Sequence, residues 1–145
     1  MEVAIMEIAD TRPKLVSFRA TSFHGENKAL SSGQEPWSIE LTQTIQVGLG
    51  APQNVPAPLQ AIAKIDLIAK ASKEGAADQV ANFSASYEAK FDYTDTVTEA
   101  HILPLFQQES YHYMLVAQAF PLAMSHFRRE MQSMGFDARN LPLGL

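Results

Sequence analysis

The chain reads as an α+β protein, a four-stranded antiparallel sheet with a crossover after the first strand and two C-terminal helices on one face. Three observations carry that reading: four long stretches with apolar residues at every second position, a connection of about a dozen mostly polar residues after the first of them, and a change to helical periodicity after Tyr93. The 145 residues are expected to form one domain, 1–145, in which 1–13 is an N-terminal extension.

Leu15 to His24 opens the sheet, with Val16, Phe18 and Ala20 on one face and Leu15, Ser17 and Arg19 on the other. From Trp37 to Leu49 the alternation is nearly perfect. Trp37, Ile39, Leu41, Ile45, Val47 and Leu49 are apolar, while Ser38, Glu40, Thr42, Thr44 and Gln46 are polar. Ala61 to Ala71 sets Ile65, Leu67, Ala69 and Ala71 against Lys64, Asp66 and Lys70, with Ile68 out of pattern. Val80 to Tyr93 places Ala81, Phe83, Ala85, Tyr87, Ala89, Phe91 and Tyr93 on one face. The proline-rich stretch Gly50 to Pro58 and the stretch Ser72 to Asp78 suit hairpin-like returns. Gly25 to Pro36 is longer than a tight hairpin needs, so strands two to four form a meander and the first strand is reached by the crossover.

Thr98 is placed to cap a helix with Glu99 in its first turn, Pro104 interrupts it, and the main first helix is expected to begin near Leu105. Its apolar residues include Phe106, Tyr113, Val116, Ala117 and Phe120. Pro121 marks a kink or the start of a second helix. Phe120, Met124, Phe127, Met131 and Met134 then recur at steps of four, three, four and three, the spacing of a buried stripe. Gly135 suits the residue just past the helix end, with Phe136 making the apolar contact of a Schellman motif.

Composition excludes several function classes. The net charge of −5 comes without a clustered Lys/Arg stripe, so nucleic acid is not an expected partner. No apolar run approaches the ~20 residues of a membrane-spanning helix, and no membrane insertion is expected. There is no cysteine, hence no disulfide framework and no thiolate site. The first residues mix Glu2, Glu7 and Asp10 with apolar side chains, unlike a secretory signal, and a cytoplasmic location is expected. His24, His101, His112 and His126 contain no pair at the spacing of a helical zinc site, and there is no Walker loop, G-x-S-x-G or G-x-G-x-x-G. Neither a cofactor, a metal nor an enzymatic activity is expected.

The layout and several short motifs resemble the SecB chaperone family. Phe120-Pro121-Leu122-Ala123 is similar to the family's Phe-Pro-Tyr-Ala-Arg, although Met124 stands where the family has arginine. Gly135-Phe136 and Leu141-Pro142-Leu143 are similar to the glycine stop and the Leu-x-Pro segment after the long helix, and Tyr87 to Tyr93 resembles the end of the fourth strand in SecB-like chaperones, including those associated with toxin–antitoxin modules. The resemblance implies an ATP-independent holdase for unfolded, partly folded or nascent clients, in protein export or dedicated to a client such as an antitoxin. It also implies a homotetramer built as a dimer of dimers. Positions matching the family's groove are Trp37, Ile39 and Leu41 on the second strand, Phe127, Met131 and Met134 on the long helix, and Leu141 and Leu143 after it. On the helix, Phe120 and Met124 are expected as core and Met134 on the client side. The chain as given stops at Leu145, without the family's SecA-engaging tail, and its first strand carries Lys14 and Arg19 where the family's SecA surface is acidic, which leaves SecA a doubtful partner. The rival reading is a small-ligand enzyme or binding domain with Tyr111, His112 or Tyr113 in a pocket between sheet and helices.

Overall fold

The computed structural model describes residues 11–28, 37–50, 58–73, 79–136 and 141. Four strands of equal length form one antiparallel sheet: β1 (Lys14–Asn27), β2 (Trp37–Gly50), β3 (Gln60–Lys73) and β4 (Gln79–Asp92). Their order is β1-β4-β3-β2, so β2, β3 and β4 are a meander, and the chain passes from one edge of the sheet to the other between β1 and β2. A one-turn helix α1 (Glu99–Ile102), a 3-10 turn (Leu105–Gln107) and a long helix α2 (Glu109–Ser133) follow. No helix among the described residues is long and apolar enough to cross a membrane.

Period-two patterning sends the odd-numbered residues from Ala61 to Ala71 on β3 and from Ala81 to Phe91 on β4 to the core face. Ala61, Ala63, Ile65, Leu67, Ala69 and Ala71 on β3 lie beside Phe91, Ala89, Tyr87, Ala85, Phe83 and Ala81 on β4, all almost fully buried. At three of these pairs a large side chain faces alanine, Phe91 beside Ala61, Leu67 beside Ala85 and Phe83 beside Ala69, which helps keep the layer dense. The opposite face is polar. One row crosses all four strands as Gln46, Lys64, Glu88 and Arg19, with Arg19 Nη2 3.2 Å from Glu88 Oε1.

β1 departs from simple alternation. Its register against β4 skips between Leu15 and Ser17 and between Ala20 and Ser22, so Val16 and Thr21 are bulge residues. The first bulge turns Leu15 onto the core side with Phe18 and leaves Val16 48% exposed. That reverses the expected placement of those two residues. A single extra residue switches the face of everything beyond it, and side-chain periodicity carries no mark of it.

The helical region is also divided differently from the expectation. Thr98 caps α1, its backbone N–H donating to His101 Nδ1 at 3.2 Å. The break falls between Leu103 and Gln108, whereas α2 runs unbroken through Pro121. Proline removes the bond to the carbonyl four residues earlier, here that of Ala117, which lies on the exposed side where water can serve it. Phe120, Ala123 and Met124 are fully buried on either side of the proline and hold both halves on the same face. The C-terminal stop is a Schellman motif: Phe136 N–H donates to the Met131 carbonyl, Gly135 N–H to that of Gln132, and Gly135 has φ +91°. Phe136 is buried edge-on against Phe83, with ring centroids 5.6 Å apart. Since Phe127 and Met131 are fully buried beneath α2, Phe127→Ala is expected to cost about 3–5 kcal/mol and Met131→Ala about 2–5 kcal/mol in urea unfolding.

Candidate functional site

Three features describe the apolar face of the sheet: the edge strand β2, and two sets of contacts that fix α2 over β1 and β4 on the other side. The first is β2. Its core-facing Ile39, Leu41, Ile45, Val47 and Leu49 are half-buried, although their β3 partners Ala71, Ala69, Ile65, Ala63 and Ala61 are at most 1% exposed. Among the described residues no strand pairs with the outer side of β2, and its register with β3 runs without a bulge from Trp37 to Gly50. That side is a regular row of backbone donors and acceptors, to which an extended chain can add as a further strand. At Gly48 nothing lies within 4 Å of where a Cβ would stand. A shallow depression of about 310 Å³ wraps the edge there, lined by Gln46, Val47, Gly48, Leu49, Ile62 and Lys64.

The second feature is the C-terminal end of α2. Asn27 Nδ2 donates to the Met134 carbonyl at 2.7 Å, and Met134 Sδ sits over Gly25, inside the distance a Cβ there would need. The missing side chain of β1 is thus replaced by a side chain from the helix.

The third is a pair of polar ties that fix where α2 lies. Tyr87 Oη and His126 Nδ1 are hydrogen-bonded at 2.8 Å, and His126 Nε2 lies 3.6 Å from Glu130 Oε1. Phe18 stacks on Tyr87, and Phe23 meets His126 and Phe127 edge-on, so β1, β4 and α2 share one aromatic cluster. At the other end of the helix Tyr111 donates to the Thr11 carbonyl at 2.7 Å. The proton between the two phenols therefore comes from Tyr93, which donates to Tyr111. Burial pushes the phenol pKa of Tyr87, Tyr93 and Tyr111 upward. For Tyr87 the nearby Glu130 carboxylate adds to that shift, and for Tyr93 the bond to Tyr111 does.

Of the sequence-derived site residues, Ile39 and Leu41 lie on the half-covered stripe, Met134 is half-buried at the helix end, and Leu141 is buried. Phe127 and Met131 are fully buried, so they support that region from within the core. Trp37 begins β2, but its side chain, like the whole of Leu143, lies outside the described residues. Sequence reasoning did not extend the stripe to Ile45, Val47 and Leu49, although the same alternation marks them. Of the residues named for the rival reading, Tyr111 is buried against Tyr93 and Phe106, His112 lies edge-on to Phe106, and Tyr113 is 56% exposed.

No family model and no curated protein matches this chain by sequence. Among solved structures it is similar to the Mycobacterium tuberculosis Rv1957 SecB-like chaperone, solved in complex with a ChAD peptide from the Rv1956 HigA1 antitoxin. The TM-score is 0.61 at 13% identity, over 90% of each chain. The fold is SecB-like.

The raised phenol pKa values fix the sign of the alkaline response. The unfolded chain releases its phenolic protons near pH ~10 and the folded one only above that, so the contribution of these groups is complete below about pH 10 and is lost as pH rises toward the folded values. Phenolate absorbance of Tyr87, Tyr93 and Tyr111 is expected to appear together with the loss of far-ultraviolet circular dichroism. Tyr87→Phe, which removes the hydrogen bond to His126, is expected to cost about 1 kcal/mol in urea unfolding at neutral pH.

Proposed function

We propose that this protein is a holdase: it binds unfolded or partly folded chains without nucleotide and without catalysing a reaction on them. The observation that carries this reading is the half-covered apolar stripe of β2 beside an unpaired, bulge-free edge, on a SecB-like fold. A client segment in extended form can add its backbone to that edge while alternate side chains join Ile39, Leu41, Ile45, Val47 and Leu49. Met134, Trp37, Leu141 and Leu143 are the further contacts proposed; Phe127 and Met131, fully buried, act as core beneath α2. The SecB-like chaperone of similar structure was solved with an antitoxin peptide, which supports a dedicated client of that kind, met in the cytoplasm, over general export.

The proposal includes a homo-oligomer, a dimer of dimers. The outer face of α2 supports it: no Asp, Glu, Lys or Arg occurs between Glu109 and Arg128, and the exposed positions include Tyr113, Ala117, Leu122 and Ser125. An exposed helix face without formal charge over about five turns suits burial against a second copy.

Equimolar protein is expected to slow aggregation of a chemically unfolded model client in the absence of ATP. Leu41→Glu should weaken client binding about tenfold, equivalent to ~1.4 kcal/mol, with the thermal midpoint nearly unchanged because the side chain is only half-buried. No suppression at several-fold excess would sink the holdase reading. For the assembly, light scattering after size exclusion should give a dimer or tetramer at micromolar concentration, and Leu122→Glu should shift it to a smaller species; a folded, strictly monomeric wild type would end that part.

A further inference from the structure

We infer that Met134 is an oxidation site whose sulfur state latches or releases the end of α2 from β1. The chain has six methionines and no cysteine, so thioether is its sulfur chemistry. Among the described residues Met124 and Met131 are fully buried, whereas Met114 and Met134 are half-buried, and those two are the candidates there for reaction with a peroxide. In that step a sulfur lone pair takes one peroxide oxygen, the O–O bond breaks and water leaves; sulfur loses two electrons and the peroxide gains them.

The sulfurs of these two half-buried methionines sit in opposite surroundings. Met114 Sδ already faces a donor, Gln118 Nε2 at 3.6 Å on the same helix, and a sulfoxide oxygen there keeps that partner. Met134 Sδ occupies the space over Gly25, where a Cβ would also be 3.0 Å from the rings of Phe23 and Phe83. A sulfoxide adds an oxygen and a strong dipole to a niche walled by the rings of Phe23 and Phe83, which offer it no hydrogen-bond donor. The oxidised side chain therefore leaves the niche. With it goes the packing that closes α2 onto β1 and shields the Phe83–Phe136 pair.

The test is peroxide titration of the full chain, with methionine oxidation located by peptide mass spectrometry and hydrogen exchange followed at each step. Oxidation at Met134 should raise amide exchange in Ser22–Asn27 and in the last turn of α2 by about tenfold, while exchange in β3 stays unchanged. Met134→Leu, similar in volume and not oxidisable, should be insensitive at equal oxidation of Met114. Gly25→Ala, whose new Cβ displaces the Met134 sulfur, should reproduce the faster exchange without peroxide and supplies the same readout should oxidation damage other sites. The inference fails if Met134 resists oxidation while Met114 reacts, or if Met134 oxidises with exchange unchanged. A consequence for clients rests on the holdase reading and is measured separately, as aggregation suppression by oxidised and reduced protein. Its absence in both forms would count against the holdase and leave the exchange result to judge the latch.

Discussion

The outer strands of a four-stranded sheet lie about 14 Å apart, and an α-helix with its side chains is about 10–12 Å across, so a single helix laid on one face leaves a strand at the margin of its cover. Here that strand is β2. The helix is drawn toward the other side by the Tyr87–His126 bond, by the aromatic cluster of Phe18, Phe23, Tyr87 and Phe127, and by Gly25, whose missing side chain makes room for Met134. Each of these contacts joins α2 to β1 or β4. The half-exposure of Ile39, Leu41, Ile45, Val47 and Leu49 follows from where the ties are placed, and Gln43, exposed in the middle of the same row, fits a margin left partly open to solvent.

The two edges of the sheet are unlike each other in a way that matters for association. β1 carries two bulges against β4, and bulges twist an edge and interrupt the regular row of backbone groups. β2 carries none over its fourteen residues. An added strand finds continuous pairing at β2, next to the apolar stripe, and interrupted pairing at β1. The charges that could oppose such addition, Glu40 on β2 and Lys64 and Lys70 on β3, lie on the polar face.

How much of this was legible in the sequence depended on the range of the interactions involved. Strand placement, the core face of β3 and β4, the Thr98 cap and the Gly135 stop were readable because each rests on residues within a few positions of one another. The bulges in β1 were not: Leu15 and Val16 are both apolar, and only pairing with Phe91 and Lys90 decides which faces inward. Pro121 misled for a related reason. Its local effect is to end a helix, and what keeps α2 continuous is burial of Phe120, Ala123 and Met124 against a distant sheet. The candidate surface was half legible. Ile39 and Leu41 were found through alternation and likeness, while Gly25 and Asn27 carry no signal of their own because their roles exist only where the end of α2 arrives.

On the chaperone reading, the modest depth of the stripe is a functional requirement. Burying one large aliphatic side chain of a client is worth about 1.5–3 kcal/mol, and ordering one residue of an unfolded chain costs about 1–2 kcal/mol in backbone entropy alone. With every second residue of an added strand facing the stripe, gain and cost over a short segment nearly cancel, and backbone pairing along β2 adds only about 0.5–1.5 kcal/mol per bond. A single stripe therefore holds a client weakly and releases it without an energy source. Tight retention needs several stripes engaged by one chain, where the second contact is made at the effective concentration set by the first. An oligomer with several copies of β2 supplies them, and a folded protein, which cannot present several extended apolar segments at once, is passed over.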